Sequence, residues 1–591
     1  MALTKVHNRM IDGADVNVKD FGAVGDGVAD DTAAIQAALT SGASEVFIPD
    51  GTYLISNLTS GSAITVNNLN IIGTGTILCT TAGIELIGNN NRVEGITIKR
   101  ATKSTSLVMI YINYGLGIYG DNNHVKNIEV YNMNGPGISI GGKNNTVSDV
   151  YSHDNIAGMI SNNTTRNLTV SDSRFIYNDV VATSGADGIL CSRTNVGVTI
   201  SNCDLSYNSE HGLYFQGQNG IFVDNRVFGN TGDGLKFGSY DDQGYSYGGE
   251  TLDTWVQGKA GTPGYNGVDG ANGWGLRSIL ISNNIIQDNT SGIYFQPSAK
   301  DVVIEGNILN NNSIRVVYFN YTGADARLED NIDFSIKNNK VFGTNSFIST
   351  AVYQGLVVDG NEIDEYIFTY APNAATEPRL SERSQNILVK NNVCSQRIEA
   401  NRASSPTIEA NRATYIATPT NSSDIIVKGN TLTAQEQSFD TARIAVFNAN
   451  NVVVVGNIAF NSSAVPYSFP KEFIGNTIVG NSFTSNYFVD ASFNANRPDD
   501  GRFCNNYIEC TSSARPVYAE GQYSVISNNV IIGTAASDYG IDHYGDNCSI
   551  IGNVVVSKSI QLRNDSANIV VGNKCSSVTG VAGTNIIANN G

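Results

Sequence analysis

Short apolar runs of one kind recur along most of this chain: "VTISNCDL", "IFVDNRVF", "ILISNNII", "VVIEGNIL", "LVVDGNEI", "IIVKGNTL", "SVISNNVI". In each, apolar residues alternate with polar ones, which is the period of a strand with one buried face. Asn, Gly or Asp follows, residues that tolerate the left-handed backbone of a tight turn. The anchors are Val147, Val170, Ile200, Val223, Ile281, Ile304, Ile336, Val358, Val389, Val427, Val454, Ile478, Phe503, Ile526, Ile550 and Val570, with weaker copies at Ile71, Val93 and Val125. The shortest intervals are 20 to 25 residues, and no helical periodicity accompanies them. A repeat of this length without a leucine scaffold predicts an all-β fold, a right-handed parallel β-helix whose coils stack about 4.8 Å apart. Asn284, Asn307, Asn339, Asn361, Asn392, Asn430, Asn457, Asn481, Asn506, Asn529, Asn553 and Asn573 share one coil position. At that spacing their amides form a hydrogen-bonded ladder.

Ahead of the repeats, "DDTAAIQAAL" puts Ile35 and Leu39 on one helical face, with Asp30 or Asp31 as N-cap. A solenoid needs its open end covered, so residues 1–55 read as an N-terminal segment and cap, and 56–591 as the β-helix. The repeat breaks at 238–277, a Gly-rich aromatic insertion holding Tyr240, Tyr245, Tyr247, Trp255 and Trp274. "IEANRA" occurs at 398–403 and again at 408–413, which reads as a local duplication within a turn.

Composition narrows the function classes. The chain has 60 glycines, 12 prolines and only 15% charged residues, as many short strands and turns require. A net charge of −18 argues against nucleic acid as a partner. No window resembles a membrane span, and "MALTKVHNRMIDGADV" lacks the apolar core of a secretion signal. The eight cysteines show no metal or disulfide spacing and read as free, mostly buried thiols, fitting a reducing compartment.

"DFGAVGDGVADDTAAIQAAL" followed by "VFIPDGTYLIS" resembles the opening of the pectate-lyase-like superfamily of parallel β-helix proteins. Together with "TKVHNRMI" it resembles bacteriophage tailspikes and related capsule depolymerases. The resemblance implies a homotrimer attached through its N-terminus to a phage tail or baseplate, made in the host cytoplasm. In the virion it would bind and cleave bacterial surface polysaccharide, capsule or O-antigen, without membrane insertion. "NIIANNG" ends the chain directly after coil-like sequence, so trimerisation rests on the resemblance alone.

Aligning coils on their glycines gives "ADGILCS", "EHGLYFQ", "GDGLKFG" and "SGIYFQP". The residues before the glycines form an ascending column of Asp187, His211, Asp233 and Ser291, with Glu210 beside it. Alternation turns Tyr214, Lys236 and Tyr294 outward on the same face. Asp187, Glu210, His211 and Asp233 are the candidate catalytic residues. Tyr214, Lys236, Tyr294 and the aromatic residues of the insertion are the candidate substrate-binding residues, and no metal or cofactor is called for. Carboxylates one or two coils apart suit glycosidic hydrolysis. β-Elimination on a uronate needs a cation to neutralise the sugar carboxylate plus a base, roles open to Lys236, His211 and Tyr214. Low basicity on this face tilts the expectation to hydrolysis; a non-catalytic glycan adhesin is the third reading.

Overall fold

The computed structural model describes most of residues 15–316 and 332–433 and, in shorter runs, parts of 443–591. The insertion residues 239–275 lie outside the described residues, and with them Tyr240, Tyr245, Tyr247, Trp255 and Trp274. The chain divides into two compact units, the first running to Phe319 and the second from Asp330.

In the first unit each coil contributes to three parallel faces. Face A holds Thr199–Ser201, Gln218–Val223, Leu276–Ser282 and Ala299–Glu305. Face B holds Arg226–Phe228, Ile285–Gln287 and Ile308–Asn310. Face C holds Ala157–Ser161, Ile189–Cys191, Leu213–Phe215, Leu235–Phe237, Ile293–Phe295 and Ile314–Val316. Every pairing between these strands is parallel, as stacked coils demand. The architecture is a parallel β-helix.

Among the described residues the anchors point inward with one exception, and the Ile478 side chain lies outside them. Ile200 pairs with Phe222, not with Val223, and Phe222 is fully buried. The run "IFVDN" offers two apolar candidates, and the register goes to the one three residues before Asn225, as Ile200 lies three before Cys203. Phe222 joins Phe215, Phe237 and Phe295 in the interior, with Phe237 and Phe295 stacked at 4.5 Å. Each buried Phe contributes about 1.5–3 kcal/mol by leaving water. That aromatic interior lies directly under face C.

The helix α1 (Thr32–Leu39) buries Ile35, Ala38 and Leu39, as its pattern predicts. Asp31 occupies the N-cap position, but its carboxylate accepts from Val24 N (2.6 Å) and Gly25 N (3.1 Å) and ties down the preceding turn. Asp30 does the capping, accepting from Thr32 N at 3.0 Å.

Corners are closed by asparagine. Asn225, Asn284 and Asn307 stack at the A-to-B corner, each lower amide donating to the next Oδ1 at 2.9–3.0 Å. A second column, Asn155, Asn178, Asn208, Asn230, Asn289 and Asn312, closes the B-to-C corner.

The second unit repeats the scheme. Asn339, Asn361, Asn392, Asn411, Asn430 and Asn457 form one run and Asn506, Asn529, Asn553 and Asn573 another; Asn481 lies outside the described residues. Asn411 corrects the reading of the duplicated "IEANRA". The second copy is coil, with Ile408 on a face A strand and Asn411 in the ladder. The first copy lies in the face C strand Arg397–Asn401. Apolar, polar, apolar, Asn serves equally as a strand or as a strand followed by a corner.

The described cysteines have no disulfide partner. Cys79, Cys191, Cys203, Cys394 and Cys548 are buried; Cys504 and Cys575 are part-exposed. Burial pushes the Cys191, Cys203 and Cys394 thiols up to about 12, leaving them protonated.

Candidate active site

Where the B-to-C turn enters face C, Gly188, Gly212, Gly234 and Gly292 each stand just before the strand. The chain needs it there: a Cβ on Gly212 would fall 2.7 Å from the carbonyl oxygen of Gly234. Closely stacked glycines bring the residues before them into contact as well. The backbone N–H of His211 donates to Asp187 Oδ1 (3.2 Å), and the N–H of Asp233 donates to His211 Nδ1 (2.8 Å). The column predicted from sequence therefore exists.

Its exposure differs from expectation. Asp187 is 2% exposed and His211 6%, so neither stands on an open face. Just below, the outward positions of face C are apolar: Ile160 and Leu190 pack with Ile156, Ala157 and Ala186. Of the four candidate catalytic groups, Glu210 is the most open, with its side chain 30% exposed against 13% for Asp233. Glu210 also accepts from the backbone N–H of Gly185.

Burial holds the Asp187 carboxyl well above the usual range, and the charge of Glu210 adds to the effect. The His211 N–H and the Lys236 charge oppose it only in part. Burial and then the Lys236 charge push His211 down to about 3, so the ring is neutral at physiological pH. Asp233 is also raised by burial, against the Ser291 hydroxyl and the charges of Lys236 and Arg315.

The register stacks Tyr214, Lys236, Tyr294 and Arg315 on successive coils of face C. Lys236 folds back so that Nζ lies 4.6 Å from the Tyr214 ring centroid and 3.1 Å from His211 Nε2. Tyr214 meets His211 edge-on at 5.8 Å and leans over Gly238, where a Cβ would come within 2.6 Å of its Cε2.

Because Nδ1 accepts from the Asp233 N–H, the neutral His211 ring carries its proton on Nε2. That N–H faces the Lys236 ammonium, and two donors cannot bond to each other. They converge on one point, where an anionic oxygen satisfies both. Glu210 Oε1 lies 3.6 Å from Nε2, outside hydrogen-bond reach.

Asp187, Glu210 and His211 also offer three ligand-type atoms within 4.8 Å of one another. They fit a metal ion poorly, since the proton on Nε2 occupies the ring position facing the cluster and the Lys236 ammonium is beside it.

The family profile described as "Rhamnogalacturonase A/epimerase, pectate lyase-like" matches residues 15–235, a segment that includes Asp187, Glu210, His211 and Asp233. The mannuronan C5-epimerase AlgE5 of Azotobacter vinelandii is 34% identical over 246 residues, 38% of this chain and 23% of the relative. Alginate lyase 7 of the same organism is 46% identical over 66 residues, 10% of this chain and 8% of the relative. The chain thus spans about a quarter or less of these relatives' length. Among solved structures, the Dettilon tailspike protein is 15% identical with a TM-score of 0.32, covering 73% of this chain and 68% of that one. Parts of the chain are thus similar in sequence to polysaccharide epimerases and a lyase.

Sequence reasoning missed the B-to-C asparagine column and Arg315. Both carry a signal: an Asn recurs five residues after each A-to-B ladder position (Asn225 and Asn230, Asn284 and Asn289, Asn307 and Asn312), and Arg315 is the outward residue of the coil after Tyr294.

Proposed function

We propose that this protein binds a uronate-containing polysaccharide on face C and removes the proton beside the sugar carboxylate, ending in β-elimination or in epimerisation. The observation that carries this reading is the pair of converging donors, Lys236 Nζ and His211 Nε2, 3.1 Å apart. A uronate carboxylate oxygen set against the pair, in reach of both nitrogens, accepts from both, and its negative charge is neutralised. Neutralisation acidifies the adjacent C5–H, because the carbanion formed on its removal spreads into the carboxyl group. Glu210, the most open carboxylate of the set, takes that proton from C5. In elimination the C4–O bond breaks as the C4=C5 double bond forms, and Glu210 passes its proton to the leaving oxygen; in epimerisation water on the opposite face of C5 supplies a proton and Glu210 releases its own to solvent. Asp187 is a positioning residue that fixes the His211 backbone. The sequence similarity of parts of the chain to epimerases and a lyase supports the same class of chemistry.

Hydrolysis is favoured by a different observation. Asp187 and Glu210 are close carboxyl groups, and burial raises the Asp187 carboxyl well above the usual range, the direction an acid and base pair requires. Burial of Asp187 weighs against its reaching a glycosidic oxygen. Homotrimeric assembly and attachment to a phage tail remain part of the proposal through the sequence resemblance alone, and the mass of the protein in solution tests the trimer.

The experiment is incubation of the full chain with polymannuronate and with a neutral glycan. Unsaturated uronate ends, or C5-inverted residues in unshortened polymer, support the proposal. New saturated reducing ends sink it in favour of hydrolysis. Asp187→Asn separates the same two readings. An amide still accepts the His211 N–H, so proton abstraction survives within about tenfold, whereas a hydrolase that needs an acid there loses about 10²–10⁴-fold.

A further inference from the structure

Above the converging donors the outward column of face C continues as Lys236, Tyr294 and Arg315, one residue per coil and in direct register. All three side chains are half-buried at the outward position of their strands. Arg315 Nε donates to Ser313 Oγ at 3.2 Å, which holds the guanidinium near the strand, and its charge reaches down to Asp233. Cations thus stand two coils apart, roughly 9.5 Å along the stack, with a tyrosine between them.

We infer that Arg315 forms a second carboxylate subsite, which binds the uronate two sugars away from the one held by Lys236 and His211. This rests on the uronate reading of the same site. One coil rise is close to the length of one pyranose in an extended 1,4-linked chain, so a polymer running along face C presents one sugar per coil. In a two-fold extended chain alternate carboxylates point the same way. The carboxylate at Lys236 therefore has its next same-side neighbour at Arg315, and the intervening sugar lies over Tyr294, whose ring suits an apolar sugar face. Arg suits this place because its planar fork grips a carboxylate in two contacts. The consequence is selection for polymers that carry uronates two sugars apart, whether consecutive or alternating with a neutral sugar, over polymers in which single uronates are more widely spaced.

The test is calorimetric titration of the full chain and its variants with a mannuronate dimer and a hexamer, which differ in whether they can reach both cations. Arg315→Gln is expected to weaken hexamer binding about tenfold or more and to leave the dimer unchanged. Arg315→Lys is expected to recover most of the loss, and Lys236→Gln to weaken both lengths. Equal effects of Arg315→Gln on dimer and hexamer, or no effect on either while the unaltered protein binds the hexamer, overturn the inference and leave the uronate reading standing. Failure of the unaltered protein to bind either oligomer overturns both.

Discussion

Two columns occupy the same turn of the first unit and are built by the same stacking, yet they differ in chemistry. Asn208, Asn230 and Asn289 stand at its start; Asp187, His211 and Asp233 stand at its end. In the asparagine column the backbone N–H of the lower coil donates upward to the next Oδ1, as Asn208 N does to Asn230 at 2.9 Å. The same amide uses its Nδ2 on Asn230 Oδ1 (3.0 Å) and on the carbonyl of Phe175 (3.1 Å), so donors and acceptor are all used. In the second column the direction reverses. The N–H of the upper coil donates down to the side chain below, from His211 to Asp187 and from Asp233 to His211. That reversal takes the inner atoms of the ionisable groups and leaves their outer atoms, His211 Nε2 and the Glu210 carboxylate, to face Lys236 and the surface. A neutral amide has nothing left to titrate; a ring and two carboxyls in the same setting do. One column holds the coils together, and the other is available for chemistry.

The comparison predicts opposite penalties. Lys236→Gln removes one of the two converging donors and is expected to lower turnover on a uronate polymer about 10²–10⁴-fold while leaving the thermal midpoint nearly unmoved. Asn230→Ala should do the reverse. It strips the acceptor from the buried Asn208 N–H, which lowers stability in urea by about 1–3 kcal/mol and largely retains turnover per folded molecule. If Asn230→Ala abolishes turnover in a folded protein, or Lys236→Gln unfolds it, the division of labour is wrong.

Asp187→Asn probes the ionisable column through pH. The folded-state pKa of Asp187 is raised, so the native protein retains this proton as pH climbs through the unfolded value near 3.8 while the unfolded chain releases it. Stability from this group is therefore present at low pH and lost as pH rises toward the folded pKa. The amide has no such dependence, so the stability of Asp187→Asn relative to the parent is expected to increase from pH 4 to pH 8. A constant difference across that range would mean that folding does not raise the Asp187 carboxyl. The smallest effect is expected from Gly238→Ala. Its methyl would meet Gln296 Oε1 at 2.5 Å and the Tyr214 ring at 2.6 Å, displacing the ring on which Lys236 rests. KM is expected to rise a few-fold, roughly 1 kcal/mol or less, in steady-state kinetics.

Much of this was legible in the sequence because a coil repeats its demands. Alternating apolar residues, an Asn three residues after the anchor and a Gly before the face C strand recur closely enough to place Asp187, His211 and Asp233 over one another before any coordinates. What the pattern could not carry was any choice between two fitting options. Phe222 and Val223 are both apolar, and only stacking decides which one enters the interior. The two "IEANRA" copies are identical, and only their neighbours decide that one is strand and the other strand and corner. Burial of the site was hidden for another reason: how far a side chain is covered depends on the packing of neighbouring turns, which spacing does not describe, so no pattern signalled that Asp187 is 2% and His211 6% exposed. Whether Lys236 points at His211 or at solvent is a rotamer, beyond the reach of spacing.

The central claim is that the two donors neutralise a uronate carboxylate so that the hydrogen at C5 can leave. Incubating the full chain with polymannuronate in D2O and following the C5 position by NMR tests it most directly. The account predicts loss of that hydrogen, through an unsaturated end or through deuterium at C5, and its abolition by Lys236→Gln. Shortened polymer whose C5 hydrogens are all retained, or full C5 exchange in Lys236→Gln, would contradict it.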